Sequence, residues 1–146
     1  MKQQPRIKSI APLEPFRLRI EWRDGSINEV DLSAFLHTYK IFRPLREEPA
    51  LFRQAKVGEW GWDITWGGDM DISVSTLWRL ALEQAGEAMR AEEFRDWRKR
   101  HGLSLSSAAQ TLGLSRRMVA YYDKGERIIP KYVRLACKGA EAELGR

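Results

Sequence analysis

The chain has 146 residues, 25 Lys and Arg against 20 Asp and Glu, one cysteine and a 43% apolar share, which allows one domain or two small ones and excludes wholesale disorder. A single cysteine excludes an internal disulfide framework and fits a reducing interior. The formal charge of +5 is uneven: residues 1–88 carry 12 basic and 13 acidic side chains, a net of −1, whereas residues 89–146 carry 13 and 7, a net of +6.

Residues 1–5 form a polar start. Ile7 and Ile10 before Pro12 and Pro15 suggest a short strand closed by a proline-marked turn. From Phe16 to Trp22, Phe16, Leu18, Ile20 and Trp22 alternate with Arg17, Arg19 and Glu21, the period of a half-buried strand. Asp24-Gly25 is a hairpin signal, and Ile27–Leu32 is the returning strand. Asp31 and Ser33 precede a short helix over Ala34-Phe35-Leu36. Pro44 and Pro49 punctuate a loop with a helical turn at Leu51-Phe52. Ala55–Val57 and Trp60–Trp66 read as a strand pair, with Trp60, Trp62, Ile64 and Trp66 on one side. Gly67-Gly68-Asp69 ends that strand, and Ser75 is the expected N-cap of a helix from Thr76 to about Gln84. Residues 1–88 are therefore expected to be a small α+β domain, an antiparallel sheet with packing helices.

Gly86 marks the neighbourhood of a boundary, and from Ala91 the pattern is helical. Phe94 and Trp97 face inward on one helix, which Gly102 ends; Ser104 caps the next, and Pro130 sits in the first turn of the last. Between them, Leu105–Asp123 reads as two short helices joined by a tight turn. Ala108, Ala109 and Leu112 share one face of the first, Gly113 supplies the turn, Leu114 plugs it and Ser115 caps the second. Val119 and Tyr122 give the second helix an apolar stripe, opposite Arg116, Arg117, Ala120, Tyr121 and Lys124. Such a helix, apolar on its docked side and basic outward, suits a nucleic-acid groove, and the excess positive charge of this half favours a polyanion. Cys137 shares a helical face with Val133, Ala136, Ala140 and Leu144, where a buried, inert thiol is expected. No apolar leader is present, and the most apolar helical stretch, Leu77–Leu82, is short and broken by Arg79, so no membrane partner and a cytoplasmic location are expected.

Two resemblances follow from these residues. Gly102-Leu103-Ser104, Ala109, Leu112-Gly113-Leu114-Ser115, Val119 and Asp123-Lys124-Gly125-Glu126-Arg127 ahead of Pro130 fall at the spacing of XRE or lambda-repressor-like helix-turn-helix domains. Residues 89–146 resemble that all-α fold. The resemblance implies that Ala109 lets two helices approach, Gly113 turns the chain, and the helix after Ser115 reads DNA. Leu105 departs from it, standing where the family commonly has Gln. The first 80 or so residues resemble an uncharacterised bacterial domain of unknown function. The matching features are Asp24-Gly25, Val30-Asp31-Leu32-Ser33, Phe42-Arg43-Pro44-Leu45, Phe52, Ile64-Thr65-Trp66, Asp69 and Asp71-Ile72-Ser73. That resemblance implies a fold rather than a reaction, sometimes fused to helix-turn-helix modules or set beside toxin–antitoxin-like gene pairs.

The expected partner is double-stranded DNA. Arg116 and Arg117 would reach base edges first, arginine pairing with guanine O6 and N7. Ser115 caps their helix, Ala120 and Tyr121 lie on the same outward face, and Lys124 is placed for backbone. Ser104 and Ser106 combine hydroxyls with free N–H groups at a helix start, which suits phosphate, and Arg127 and Lys131 flank the last helix. Two copies on a twofold site are expected, paired through residues 1–88. An antitoxin-like role, with the first domain holding a protein partner and the second repressing its operon, is the alternative. Trp22, Trp60, Trp62, Trp66 and Trp78 are expected mainly in the core, with Trp60 the most exposed. Asp63, Asp69 and Asp71 suit turns and pre-helix positions better than a metal, with no His or Cys nearby. His37 and His101 lie in different domains with no activated nucleophile, and no phosphate loop or nucleophile elbow is present. Neither catalytic residues nor a cofactor or metal is expected, and the chain is read as no enzyme.

Overall fold

The computed structural model describes residues 3–145, so the polar start lies partly outside the described residues. The chain forms two compact units, dividing between Gln84 and Ala85. The sequence placed the division at 88/89. It falls four residues earlier because Ala88–Met89 pairs with Ile129–Pro130 and so belongs to the second unit.

The first unit opens with a three-stranded antiparallel meander, β1 (Ile7–Leu13), β2 (Arg17–Trp22) and β3 (Ile27–Asp31). Leu18, Ile20 and Trp22 are fully buried on one face of β2, as their alternation requires. A bulge between Ile7 and Ser9 sets both Ile7, opposite Trp22, and Ile10, opposite Ile20, on the inner side. β1 runs through Pro12, which an edge strand tolerates because no ladder hydrogen bond is needed from its nitrogen. Three short helices follow, α1 (Ser33–Thr38), α2 (Arg43–Glu47) and α3 (Pro49–Phe52). The predicted loop around Pro44 and Pro49 is thus mostly helical, both prolines sitting in first turns where no N–H is missed.

The second sheet, β4 (Lys56–Val57), β5 (Asp63–Gly67) and β6 (Met70–Ser73), leads into α4 (Val74–Gln84). Here the structure departs from the expected pattern at three places. β5 begins at Asp63 rather than Trp60, because Glu59–Gly61 is a single 3-10 turn with Trp60 at φ 61° and Gly61 at φ 76°. The interrupted alternation leaves Trp60 and Trp62 exposed, at 64% and 53%, while Ile64 is buried. β6 was unforeseen: the Gly67-Gly68 turn, at φ 94° and 59°, returns the chain into a four-residue strand. Finally, Ser73 rather than Ser75 caps α4, its Oγ accepting from the Thr76 amide at 3.3 Å. The Trp22 and Trp78 rings meet edge to face with centroids 5.1 Å apart, and the Trp22 indole donates to Asn28 Oδ1 at 2.8 Å. Both therefore bury large apolar area with the indole nitrogen of Trp22 satisfied. Gln84, at the end of α4, exchanges two hydrogen bonds with the backbone of Asp31 at 2.7 and 2.8 Å, serving as a ladder step on the outer edge of β3.

The second unit contains α5 (Ala91–Arg100), α6 (Leu105–Leu112), α7 (Arg116–Lys124) and α8 (Lys131–Leu144). The expectation of an all-α unit is amended by β7 (Ala88–Met89) and β8 (Ile129–Pro130), an antiparallel clasp that brings the start of the unit against the approach to α8. Pro130 accordingly precedes α8 as its N-cap residue rather than entering its first turn. Phe94, Trp97, Ala108, Ala109, Val119, Tyr122, Val133 and Cys137 form one core, with Leu105, Leu112 and Leu114 packed against it. Of the face predicted for α8, Val133, Cys137 and Ala140 are buried, whereas Ala136 and Leu144 are exposed. Ser104 closes a capping box with Ser107, and Gly113, at φ 72°, ends α6 in a left-handed turn that a side chain with a β-carbon disfavours.

Gly61 joins a left-handed backbone to a close approach: a β-carbon there would fall on the Ile7 carbonyl oxygen. Gly61→Ala is therefore expected to destabilise the chain by about 2–4 kcal/mol, whereas Gly25→Ala, where nothing lies within 4 Å, should cost only the strain of its φ. Denaturant unfolding followed by tryptophan fluorescence checks the ordering; equal losses would contradict it.

Candidate nucleic-acid interface

α7 is held at both ends. Ser115 Oγ accepts from the Met118 amide at 3.1 Å, and Gly125, at φ 73°, ends the helix with its amide bonded back to the Tyr121 and Tyr122 carbonyls. Val119 and Tyr122 are buried beneath it, in one core with Ala108 and Ala109, which are nearly inaccessible on α6 and whose small side chains suit close packing there. A second restraint was not read from the sequence. Arg98 on α5 forms a two-pronged ion pair with Asp123, at 2.8 and 3.2 Å, and also donates to the Leu103 carbonyl at 3.0 Å. Arg95 donates to the Asp123 carbonyl at 2.7 Å, so the last turn of α7 is tied to α5 by two guanidiniums. Cations at a helix C-terminus also oppose its partial negative charge. Arg95, Arg98 and Asp123 were visible as charges, but nothing in their spacing marked residues 25 and more apart as partners.

The outward face of α7 contrasts with this. Arg116, Arg117 and Lys124 are exposed, while Ala120 and Tyr121 are half-buried. Among the described residues, none of Arg116, Arg117, Lys124, Arg127 and Lys131 forms an ion pair, whereas Arg95, Arg98 and Arg100 on α5 each have a carboxylate partner. Arg117 Nε donates to the Tyr121 hydroxyl at 2.9 Å, its guanidinium 5.6 Å from the ring centroid, and Arg127 lies 4.6 Å from the same centroid. The structure thus brings together Arg117, Tyr121 and Arg127, a cluster wider than the helix face the spacing indicated. Ser104 spends its hydroxyl on the Ser107 amide, at 3.0 Å, and Ser115 does the same for Met118, so both contribute through their helix starts rather than as free hydroxyls. Ser106 is exposed in the first turn of α6, and Lys131 opens α8. No polar contact joins these two to the Arg117–Tyr121–Arg127 cluster.

The other sequence candidates resolve simply. Trp66 is half-buried and donates to the Phe52 carbonyl at 2.9 Å; Arg6 stacks on exposed Trp62 at 5.2 Å. Among the described residues, no three His, Cys, Asp or Glu are grouped as a metal site requires, and no helix is long and apolar enough to cross a membrane. Cys137 is buried, and its lost hydration, with Glu141 and Glu93 nearby, pushes the thiol up to about 12. Its proton is held more tightly when folded, so the stabilising contribution is complete below the ordinary thiol value of 9.0 and falls as pH rises toward 12.

Two expectations follow. Asp123→Ala leaves Arg98 half-buried without its carboxylate and should lower stability by about 1–3 kcal/mol. A double-mutant cycle with Arg98→Ala checks this, and purely additive losses would contradict the pairing. For Cys137, a thiol reagent at pH 8 should label the unfolded chain readily and the native chain hardly at all; rapid native labelling would contradict its burial.

Comparison with known proteins gives two matches. Residues 7–83, more than half of the chain, match the family described as "Protein of unknown function (DUF2442)". The crystal structure of a protein from Nitrosomonas europaea ATCC 19718, named "Putative DNA Binding Protein NE0471", is similar at 38% identity and a TM-score of 0.57, covering 97% of this chain and 91% of that one. No curated protein matches. With the family match spanning the meander, the short helices, the second sheet and nearly all of α4, the chain belongs to the DUF2442 family.

Proposed function

We propose that the chain is a sequence-specific DNA-binding protein, a transcriptional regulator whose second unit is an XRE or lambda-repressor-like helix-turn-helix domain that enters the major groove with α7. The observation that carries this reading is the outward face of α7 and the segment after it: Arg116, Arg117, Lys124 and Arg127 are exposed and form no ion pairs among the described residues, on a helix held in place from behind. Cations without ion pairs, on a helix held in place, can meet phosphates and base edges without first breaking an ion pair. The similarity to a protein named as a putative DNA-binding protein, along nearly the whole chain, supports the same reading. Leu105, standing where related domains carry a polar contact, packs toward the core, so the front of α6 is assigned to phosphate through Ser104 and Ser106 and base reading to α7. The role is binding rather than catalysis.

The first unit is assigned a protein-contact role, pairing two copies on a twofold site or, in the antitoxin-like alternative, holding another protein. Exposed Trp60 and Trp62 favour such contacts, since tryptophan is enriched among the anchors of interfaces. Sedimentation that finds only monomer, with and without DNA, removes the pairing.

Selection of duplexes from a random pool by the full chain tests the main reading. A defined site should emerge, with affinity falling in salt by a log–log slope of about 0.9 per phosphate contacted. Arg116→Ala with Arg117→Ala should weaken binding to that site by about tenfold or more. An unchanged affinity would show that α7 is not the reading helix.

A further inference from the structure

Tyr121 is placed to do something other than touch DNA. Its hydroxyl is already engaged by Arg117 Nε at 2.9 Å, and two guanidiniums, of Arg117 and Arg127, lie 5.6 and 4.6 Å from its ring centroid. The ring is half-buried on α7, and among the described residues no carboxylate pairs with either arginine. The phenol is thus a side-chain partner that the two guanidiniums share.

The geometry of arginine makes that arrangement specific. A guanidinium has five N–H donors, one on Nε and four on the two terminal nitrogens. With Nε directed to Tyr121, the Nη1 and Nη2 edge is what remains to be presented, and that edge can meet guanine O6 and N7 with two hydrogen bonds. An exposed arginine ordinarily gives up much of its rotamer freedom on meeting a base, and one already fixed gives up less. Arg127, stacked on the ring but offering all five donors, is suited to a phosphate, which accepts hydrogen bonds from many directions.

Resting on the reading of α7 as the DNA-contacting helix, we propose that Tyr121 is a positioning residue. Its hydroxyl aims the terminal edge of Arg117 at a guanine, and its ring holds Arg127 against the neighbouring phosphate. The specificity of the site at that base pair then depends on a hydroxyl group that itself contacts no base.

The test compares full-length wild type, Tyr121→Phe, Tyr121→Leu and Arg117→Ala, each checked for an unchanged melting profile. Their base preference is measured by competition between duplexes differing at the guanine that Arg117→Ala ceases to select. Tyr121→Phe removes one hydrogen bond and keeps the ring. It should lower guanine preference about fivefold and leave the salt dependence as in wild type. Tyr121→Leu should lose the same preference and, with Arg127 released, show a slope shallower by about 0.9. In the free chain, the Arg117 Nε proton should exchange slowly by NMR in wild type and quickly in Tyr121→Phe.

Three results overturn the proposal while leaving the reading of α7 intact. In the first, Tyr121→Phe keeps its guanine preference while Arg117→Ala loses it. In the second, Tyr121→Phe weakens every duplex equally with a shallower slope, the mark of a direct phosphate contact. In the third, the Arg117 Nε proton exchanges equally fast in both proteins. If the wild type selects no site, or Arg117→Ala changes no preference, the reading of α7 fails and this proposal with it.

Discussion

Much of the second unit depends on one close approach, that of α6 to α7. Ala108 and Ala109 present almost no side-chain bulk, and Gly113 reverses the chain at φ 72° within a single residue. A larger residue at either buried alanine would overpack the core that α6 shares with α7, and a β-carbon at Gly113 would strain the turn. Because the approach is close, Val119 and Tyr122 fill the space behind α7 and its remaining face is left outward. The direction of that face is thus a packing consequence before it is an electrostatic one.

Electrostatics then separates two kinds of cation. On α5, arginines are paired: Arg98 with Asp123, Arg100 with Glu141, Arg95 with Glu92 and with the end of α7. These act inside the unit, fixing α7 and neutralising carboxylates. Among the described residues, the cations on α7 and after it have no carboxylate, and two of them share an aromatic ring instead. Summed charge alone would not distinguish the two sets, since both contribute to the same positive excess. Partner geometry does, and it sets the cations of α7 and its flank apart from the paired arginines of α5.

Legibility from sequence followed how local each determinant is. β2 was readable because its face alternates without interruption, and the α6–α7 pair was readable because alanine, glycine and serine each have a local steric or capping reason for their positions. Trp60–Trp66 is misleading because its alternation is broken in the fold, Trp60 and Gly61 adopting positive φ where the chain passes Ile7. That contact joins residues over 50 positions apart, and no local pattern announces it. The β7–β8 clasp escaped for the same reason, two residues on each side being too few for a period. In the candidate site, the outward face of α7 was legible as a helical stripe. The Arg98–Asp123 pair and the stacking of Arg127 on Tyr121 were not, since ion-pair and ring geometry appear only once the elements are placed.

On the proposed reading, the outward face of α7, and not the first unit, meets DNA. The most direct measurement is the change in backbone amide resonances of the full chain on titration with a selected duplex. The account predicts changes concentrated in residues 104–107, 115–121 and 124–131, with the sheet of residues 7–31 unmoved. Changes centred on the first unit, or none at all at saturating duplex, would contradict it.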